Sequence, residues 1–214
     1  MKTVIIQYNA GNIQSVTYAL ERLGVSALLT DDEAEIRSAD RVIFPGVGEA
    51  STAMRYLRER GLHRILPTLT QPVLGVCLGL QLMCTHSEEN ETDCLNIFDI
   101  RVKKFVADPV HKVPHMGWNG LVHLRGALTN GLAEGAFVYF VHSYYAELSP
   151  YTAAQTDYVH PFSAVLQKGN FYATQFHPEK SGQAGARILQ NFLEISPNAA
   201  QKVLIKPDLW EVNS

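Results

Sequence analysis

The strongest constraint on the fold lies in the first ninety residues, where short apolar runs alternate with stretches of helical spacing. Residues 3–7 read as a buried strand. Residues 12–23 read as an amphipathic helix, with Ile13, Val16, Leu20 and Leu23 three or four apart and Gly24 as its stop. Residues 25–29 and 41–44 are further strands, the latter stopped by Pro45-Gly46. Residues 49–60 form a helix with Met54 and Leu57 inward, closed by Gly61, and strand 72–77 runs directly into a helical stretch from Leu78. Repeated βα units of this length predict an α/β fold: an open, mostly parallel central sheet with helices on both faces. The second half is richer in strands, at 100–106, 137–145, 164–167 and 171–175, with Lys168-Gly169-Asn170 as a turn and a last helix over 183–193. No linker divides the chain. Residues 1–195 are therefore expected to be one domain and 196–214 a tail, broken by Pro197 and Pro207. Its Leu204, Ile205, Leu209 and Trp210 point to docking, with no role assigned.

Composition narrows the function. With 46% hydrophobic and 18% charged residues, wholesale disorder is excluded, and a net charge of -3 argues against a general nucleic-acid binder. No apolar run approaches the ~18 residues of a membrane span, and the start reads as a strand rather than a leader, so a cytoplasmic protein is expected. Three cysteines without C-x-x-C spacing make a zinc knuckle an unsuitable reading. Neither H-x-x-x-H nor a carboxylate cluster suggests a metal, and nothing calls for a cofactor.

Gly75-Val76-Cys77-Leu78-Gly79 is a G-x-C-x-G segment between an apolar strand and a helix, the thiol form of a nucleophile elbow. The glycines let strand and helix backbones approach closely. The turn would present Cys77 at the carboxyl end of the sheet, at a helix N-terminus that favours a thiolate, with the Leu78 amide facing a developing oxyanion. The competing reading is a buried cysteine at a glycine-rich turn. Cys84 and Cys94 lack such a setting and read as structural.

A thiol nucleophile needs a base, and the base needs an orienting partner. Of eight histidines, His177 stands out in Gln175-Phe176-His177-Pro178-Glu179, because residues two apart in an extended segment share a side and Glu179 can hold the ring. The alternative is a surface histidine beside an unrelated glutamate. His115 and His142 are the next candidates and read as hydrogen-bonded structural histidines. Pro45-Gly46-Val47-Gly48-Glu49 lacks the lysine of a phosphate loop; it reads either as an oxyanion-donor loop beside the elbow or as a plain strand–helix turn.

Together, Phe44-Pro45-Gly46-Val47-Gly48, Gly75-Val76-Cys77-Leu78-Gly79-Leu80-Gln81 and Gln175-Phe176-His177-Pro178-Glu179 resemble the signatures of class I (triad-type) glutamine amidotransferases over residues 1–195. Pro114-His115-Met116-Gly117-Trp118-Asn119, Tyr139-Phe140-Val141-His142-Ser143-Tyr144-Tyr145, Lys180-Ser181-Gly182 and Ala10-Gly11-Asn12 look like the glutaminase subunits of imidazole glycerol phosphate synthase, of histidine biosynthesis. Where that family has Asp-Tyr-Gly, this chain has Gln7-Tyr8-Asn9.

The resemblance implies a Cys77–His177–Glu179 triad that hydrolyses glutamine to glutamate and ammonia through a glutamyl thioester. It implies an oxyanion site at Val47, Gly48 and Leu78, and binding of glutamine by Gly46, Gln81, Ser143 and Tyr144. It further implies a heterodimer with a (β/α)8-barrel cyclase subunit, which receives the ammonia and makes imidazole glycerol phosphate and aminoimidazole carboxamide ribotide. Asn12, Trp118, Tyr139 and Lys180 match positions facing that partner. Competing readings are a glutaminase serving anthranilate, aminodeoxychorismate or pyridoxal phosphate synthesis, a cysteine peptidase, or a non-catalytic binding module.

Overall fold

The computed structural model describes residues 1–8 and 13–197. In chain order its elements are β1 (Thr3–Ile6), α1 (Ile13–Arg22), β2 (Ala27–Thr30), α2 (Glu33–Arg37), β3 (Arg41–Phe44), α3 (Ala50–Glu59), α4 (Leu62–Ile65), β4 (Val73–Val76) and α5 (Leu78–Leu82). Then follow β5 (His86–Ser87), β6 (Thr92–Asp93), β7 (Arg101–Lys104), β8 (His115–Leu121), β9 (Ala136–His142), β10 (Tyr144–Ala146), β11 (Thr152–Asp157), β12 (Pro161–Lys168), β13 (Phe171–Thr174) and α6 (Gly182–Glu194). The Asn12 position and the tail's Leu204, Ile205, Leu209 and Trp210 lie outside the described residues.

The main sheet has seven strands in the order β11-β12-β13-β4-β3-β1-β2. The five from β13 to β2 are mutually parallel, and β12 and β11 continue antiparallel. The expected open, mostly parallel sheet is therefore present. Its central strands β1, β3 and β4 are buried along their whole length because both faces are covered. Val4, Ile6, Val42 and Phe44 pack on one face with Met54 and Leu57 of α3. Ile5, Ile43, Leu74 and Val76 pack on the other with Val16 and Leu20 of α1 and Ile188, Leu189 and Phe192 of α6. In α1 the buried positions Val16, Ala19 and Leu20 fall at the three- and four-residue spacing of one helix face.

The expected strand over 137–145 is two strands in different sheets. β9 pairs with β8 as a separate ribbon, and β10 joins β7, β5 and β6, with Ser143 at the break. In the ribbon, residues alternate between a buried face, with His115, Phe140 and His142, and an outer face where Met116, Trp118 and Phe137 are exposed. No helix among the described residues is long and apolar enough to cross a membrane.

Because β13, β4 and β3 are neighbours and parallel, their carboxyl ends bring three loops together. These are the turn at Cys77 after β4, the segment 175–177 after β13, and the glycine segment 45–49 after β3. Open α/β sheets place their sites at such ends.

Candidate active site

Cys77 sits between β4 and α5 with φ 55 and ψ -107. A non-glycine residue pays about 1–3 kcal/mol for such a conformation, so its surroundings must enforce it. Its N–H donates to the Thr174 carbonyl at 2.8 Å. A Cβ on Gly79 would lie 2.0 Å from the Phe44 carbonyl oxygen, and one on Gly75 would lie 2.5 Å from Met83 Sδ. The two glycines of the motif thus let the elbow close against β3 and against its own helix.

His177 is buried beside it. Its Nδ1 donates to Glu179 Oε1 at 2.8 Å, and both side chains are almost wholly out of solvent, at 2% and 1% exposure. Pro178 opens a short 3-10 turn, Pro178–Lys180, which carries Glu179 back under the ring. Nε2 makes no hydrogen bond among the described residues, and the ring lines the same cleft as Cys77. Burial alone would favour neutral imidazole. The neighbouring Cys77 side chain and the hydrogen-bonded Glu179 outweigh it and push His177 up to about 10. The arrangement is a histidine ring set between a cysteine and a carboxyl side chain, with the ring favoured in its protonated form. Cys84 and Cys94 differ: burial pushes both thiols up, Cys94 to about 12, so they remain protonated and inert.

The glycine segment follows β3, which flanks β4 on the side away from β13. Tyr8 donates to the Pro45 carbonyl at 2.6 Å, and burial first, then the charge at Cys77, raises the phenol far above its usual range. The Leu78 N–H donates to the Gly46 carbonyl at 3.3 Å. Gly48 has φ 117, a conformation that favours glycine.

A cleft of about 340 Å³ opens over Cys77 and His177, lined by Val47, Gly48, Leu78, Gln81, Ser143 and Tyr144 among others. Gly46 is set behind it, in a small enclosed space with Val16, Pro45 and Glu179. Two further residues shape the site without having been expected there. Glu89 reaches the cleft from the β5–β6 turn, where its Oε2 accepts from the Ala50 N–H at 2.7 Å, and burial raises its carboxyl despite that bond. No spacing or motif signals it. Gln175, fully buried, accepts from Gln81 Nε2 at 3.2 Å and points Nε2 at Cys77 Sγ at 3.9 Å. It stands in the histidine motif, the one available signal.

Trp118 and Tyr139 meet on the outer face of the β8–β9 ribbon, ring centroids 6.0 Å apart, with Trp118 at 54% exposure. Lys180 is exposed and directly follows Glu179 in the chain. The ribbon is tied to the His177 segment: His177 N–H donates to the Tyr139 carbonyl at 3.0 Å, and Tyr139 N–H donates to Ser181 Oγ at 2.9 Å. Among the described residues no group of three or more His, Cys, Asp or Glu is placed to hold a metal ion.

A family model described as "Glutamine amidotransferase class-I" matches residues 4–195. The chain is 59% identical over 196 residues to imidazole glycerol phosphate synthase subunit HisH of Bacteroides thetaiotaomicron, covering 91% of this chain and 100% of that one. It is 44% identical over 198 residues to the HisH subunit of Idiomarina loihiensis, covering 92% and 99%. Among solved structures, PurLQS from Thermotoga maritima superposes with a TM-score of 0.62 at 15% identity, covering 90% of this chain and 97% of that one. A structure described as a glutamine amidotransferase superposes with a TM-score of 0.69 at 19% identity, covering 89% and 97%. At those identities the likeness speaks to the fold alone.

Proposed function

This chain belongs to the class-I glutamine amidotransferases and, within them, to the HisH subunits of imidazole glycerol phosphate synthase, and from that premise we propose how its residues release ammonia from glutamine. The Cys77 thiolate attacks the side-chain carboxamide carbon. The His177 imidazolium gives its proton to the departing nitrogen, so ammonia leaves and a γ-glutamyl thioester remains on Cys77. The ring, now neutral, takes a proton from water as that water attacks the thioester. Glutamate and free Cys77 result, and Glu179 holds the ring through both steps. The observation that carries this reading is the buried His177, bonded to Glu179 at 2.8 Å and lining one cleft with Cys77.

The amino-acid end of glutamine lies along Gln81, Ser143 and Tyr144, with the half-buried Glu89 carboxylate suited to its ammonium group. The oxyanion needs donors, and the Leu78 N–H is engaged by the Gly46 carbonyl. A turn of the Gly46–Val47–Gly48 backbone would release it and bring a loop N–H to the same place, which couples full activity to a rearrangement of this loop.

Ammonia in neutral water is largely protonated, so a dry route to a second site is needed. We assign that site to a (β/α)8-barrel cyclase subunit docked on Trp118, Tyr139, Lys180 and Asn12, in a cytoplasmic heterodimer, with residues 1–195 as the glutaminase domain. Glutamate release is to be measured with the chain alone, then with the cyclase subunit plus a ribotide ligand. Strong stimulation by both supports the reading, and equal rates refute the coupling.

A further inference from the structure

Behind the cleft wall lies a chain of side chains that the mechanism above does not use. His142 Nδ1 is 2.8 Å from the Tyr144 carbonyl, which can only accept, so that nitrogen carries the proton. His142 Nε2 is then an acceptor. It lies 3.0 Å from His115 Nδ1, which must therefore donate. His115 Nε2 is left as the acceptor for Asn119 Nδ2 at 3.4 Å, whose other hydrogen goes to the Asp157 carbonyl at 2.9 Å. The order runs one way, from Asn119 through two rings to a backbone oxygen. Both rings are fixed by packing: His115 stacks on Tyr158 with centroids 3.9 Å apart, and His142 lies 5.4 Å from Phe105 and 5.2 Å from Phe162. The Tyr144 carbonyl receives a second donor, Gln81 Nε2, at 2.9 Å.

We infer that Asn119, His115 and His142 form a proton-ordered positioning relay that holds the Tyr144 carbonyl, and with it the Ser143–Tyr144 wall of the cleft, in the geometry that binds glutamine. Burial holds both rings in the neutral form that the relay requires. Ser143 falls at the break between β9 and β10, and Tyr144 is the first residue of β10, opposite Lys104 of β7. Besides that pairing, the wall is held by the two donors on the Tyr144 carbonyl and by the Phe105 N–H on the Ser143 carbonyl at 2.9 Å. His142 is thus a positioning residue for substrate, and its role rests on the glutaminase reading above.

Two substitutions separate positioning from packing. His142→Phe keeps an aromatic ring among Phe105, Phe140 and Phe162 and removes the donor. His142→Asn keeps an N–H at the same bond distance from Cβ and removes the ring. Measured with the cyclase partner and a ribotide present, the Phe variant is expected to raise KM for glutamine about tenfold with kcat within about twofold, while the Asn variant stays near wild type in KM. Thermal stability is expected in the opposite order, with Asn below Phe. Nitrogen-15 spectra of the wild-type rings are expected to show both histidines protonated on Nδ1, one of these signals vanishing in each variant. Equal KM values for the two variants, or a wild-type ring protonated on Nε2, overturns the relay. A wild-type chain without glutaminase activity defeats the reading above instead, and the relay is then decided by the ring spectra and by whether calorimetric glutamine affinity follows the same order.

Discussion

Replacing Gly79 by alanine tests whether the elbow's closure against β3 sets the nucleophile. The added Cβ would lie 2.0 Å from the Phe44 carbonyl oxygen, a backbone atom that cannot rotate away. Relief to ordinary contact, which begins near 3.4 Å, needs an opening of about 1.4 Å. Neither side can yield freely: Phe44 is 1% exposed, and every residue of α5 is buried. Forced overpacking of this kind costs about 1–3 kcal/mol, which for a domain of this size lowers Tm by roughly 2–12 °C. The larger effect falls on rate. Cys77 immediately precedes α5, and displacing it about 1 Å from His177 is expected to cost about 10²-fold in kcat. Gly120→Ala serves as control, since its Cβ would meet nothing closer than 3.4 Å. Calorimetry and glutamate release would be measured on both. A Gly79→Ala protein with wild-type Tm and kcat would refute the argument that close approach is what the glycine provides.

Glu179→Gln keeps the shape of the orienting group and removes its charge, so His177 falls from about 10 toward its ordinary value, and kcat is expected to drop by roughly 10²–10⁴-fold in stopped or coupled glutamate assays. Burial, opposed by its bond to the Tyr144 carbonyl, holds His142 at about 3, below its ordinary 6.5. The unfolded chain therefore takes up a proton below pH 6.5 that the native state refuses. The stability contribution is full above 6.5 and is lost at about 1.4 kcal/mol per pH unit as pH falls toward 3. Urea titrations at pH 7, 6 and 5 should show His142→Phe lacking that share of the slope. Cys84→Ala should leave glutamate release near normal, since a fully buried, protonated thiol has no part in the chemistry; loss of activity in a folded variant would place Cys84 in the mechanism. Trp118→Ala, at 54% exposure, should leave Tm within about 1 °C and weaken binding of the cyclase subunit by at least tenfold in calorimetry.

The parts of the fold that sequence reveals are those whose local pattern and tertiary role agree. The alternating units from β1 to α5 are visible because each strand is apolar on both faces and each long helix repeats at three and four residues. The helix α2, Glu33–Arg37, escapes because five residues with one buried position, Ile36, cannot display a period. The strand β8, His115–Leu121, carries two glycines and an asparagine and shows no strand pattern; pairing with β9 along seven residues makes it a strand. β11, Thr152–Asp157, has alanines and polar residues where apolar alternation would be needed, yet most of it is buried beside β12. At the site, Cys77, His177 and Glu179 are legible because the chemistry demands those residue types at strand ends. Glu89 is not, because it arrives from a polar turn tied to the cleft by long-range bonds, among them its own to the Ala50 N–H. The engagement of the Leu78 N–H by Gly46 is equally invisible, being a matter of backbone orientation.

The central claim is that Cys77, alone among the three cysteines, is the nucleophile toward a glutamine side chain. The most direct measurement is to treat the full chain, with the cyclase subunit present, with a diazoketone analogue of glutamine and to locate the adduct by peptide mass spectrometry. The account predicts one adduct, on Cys77, formed in step with loss of glutaminase activity and slowed by excess glutamine. Modification of Cys84 or Cys94 in its place, or full inactivation with Cys77 unmodified, would contradict it.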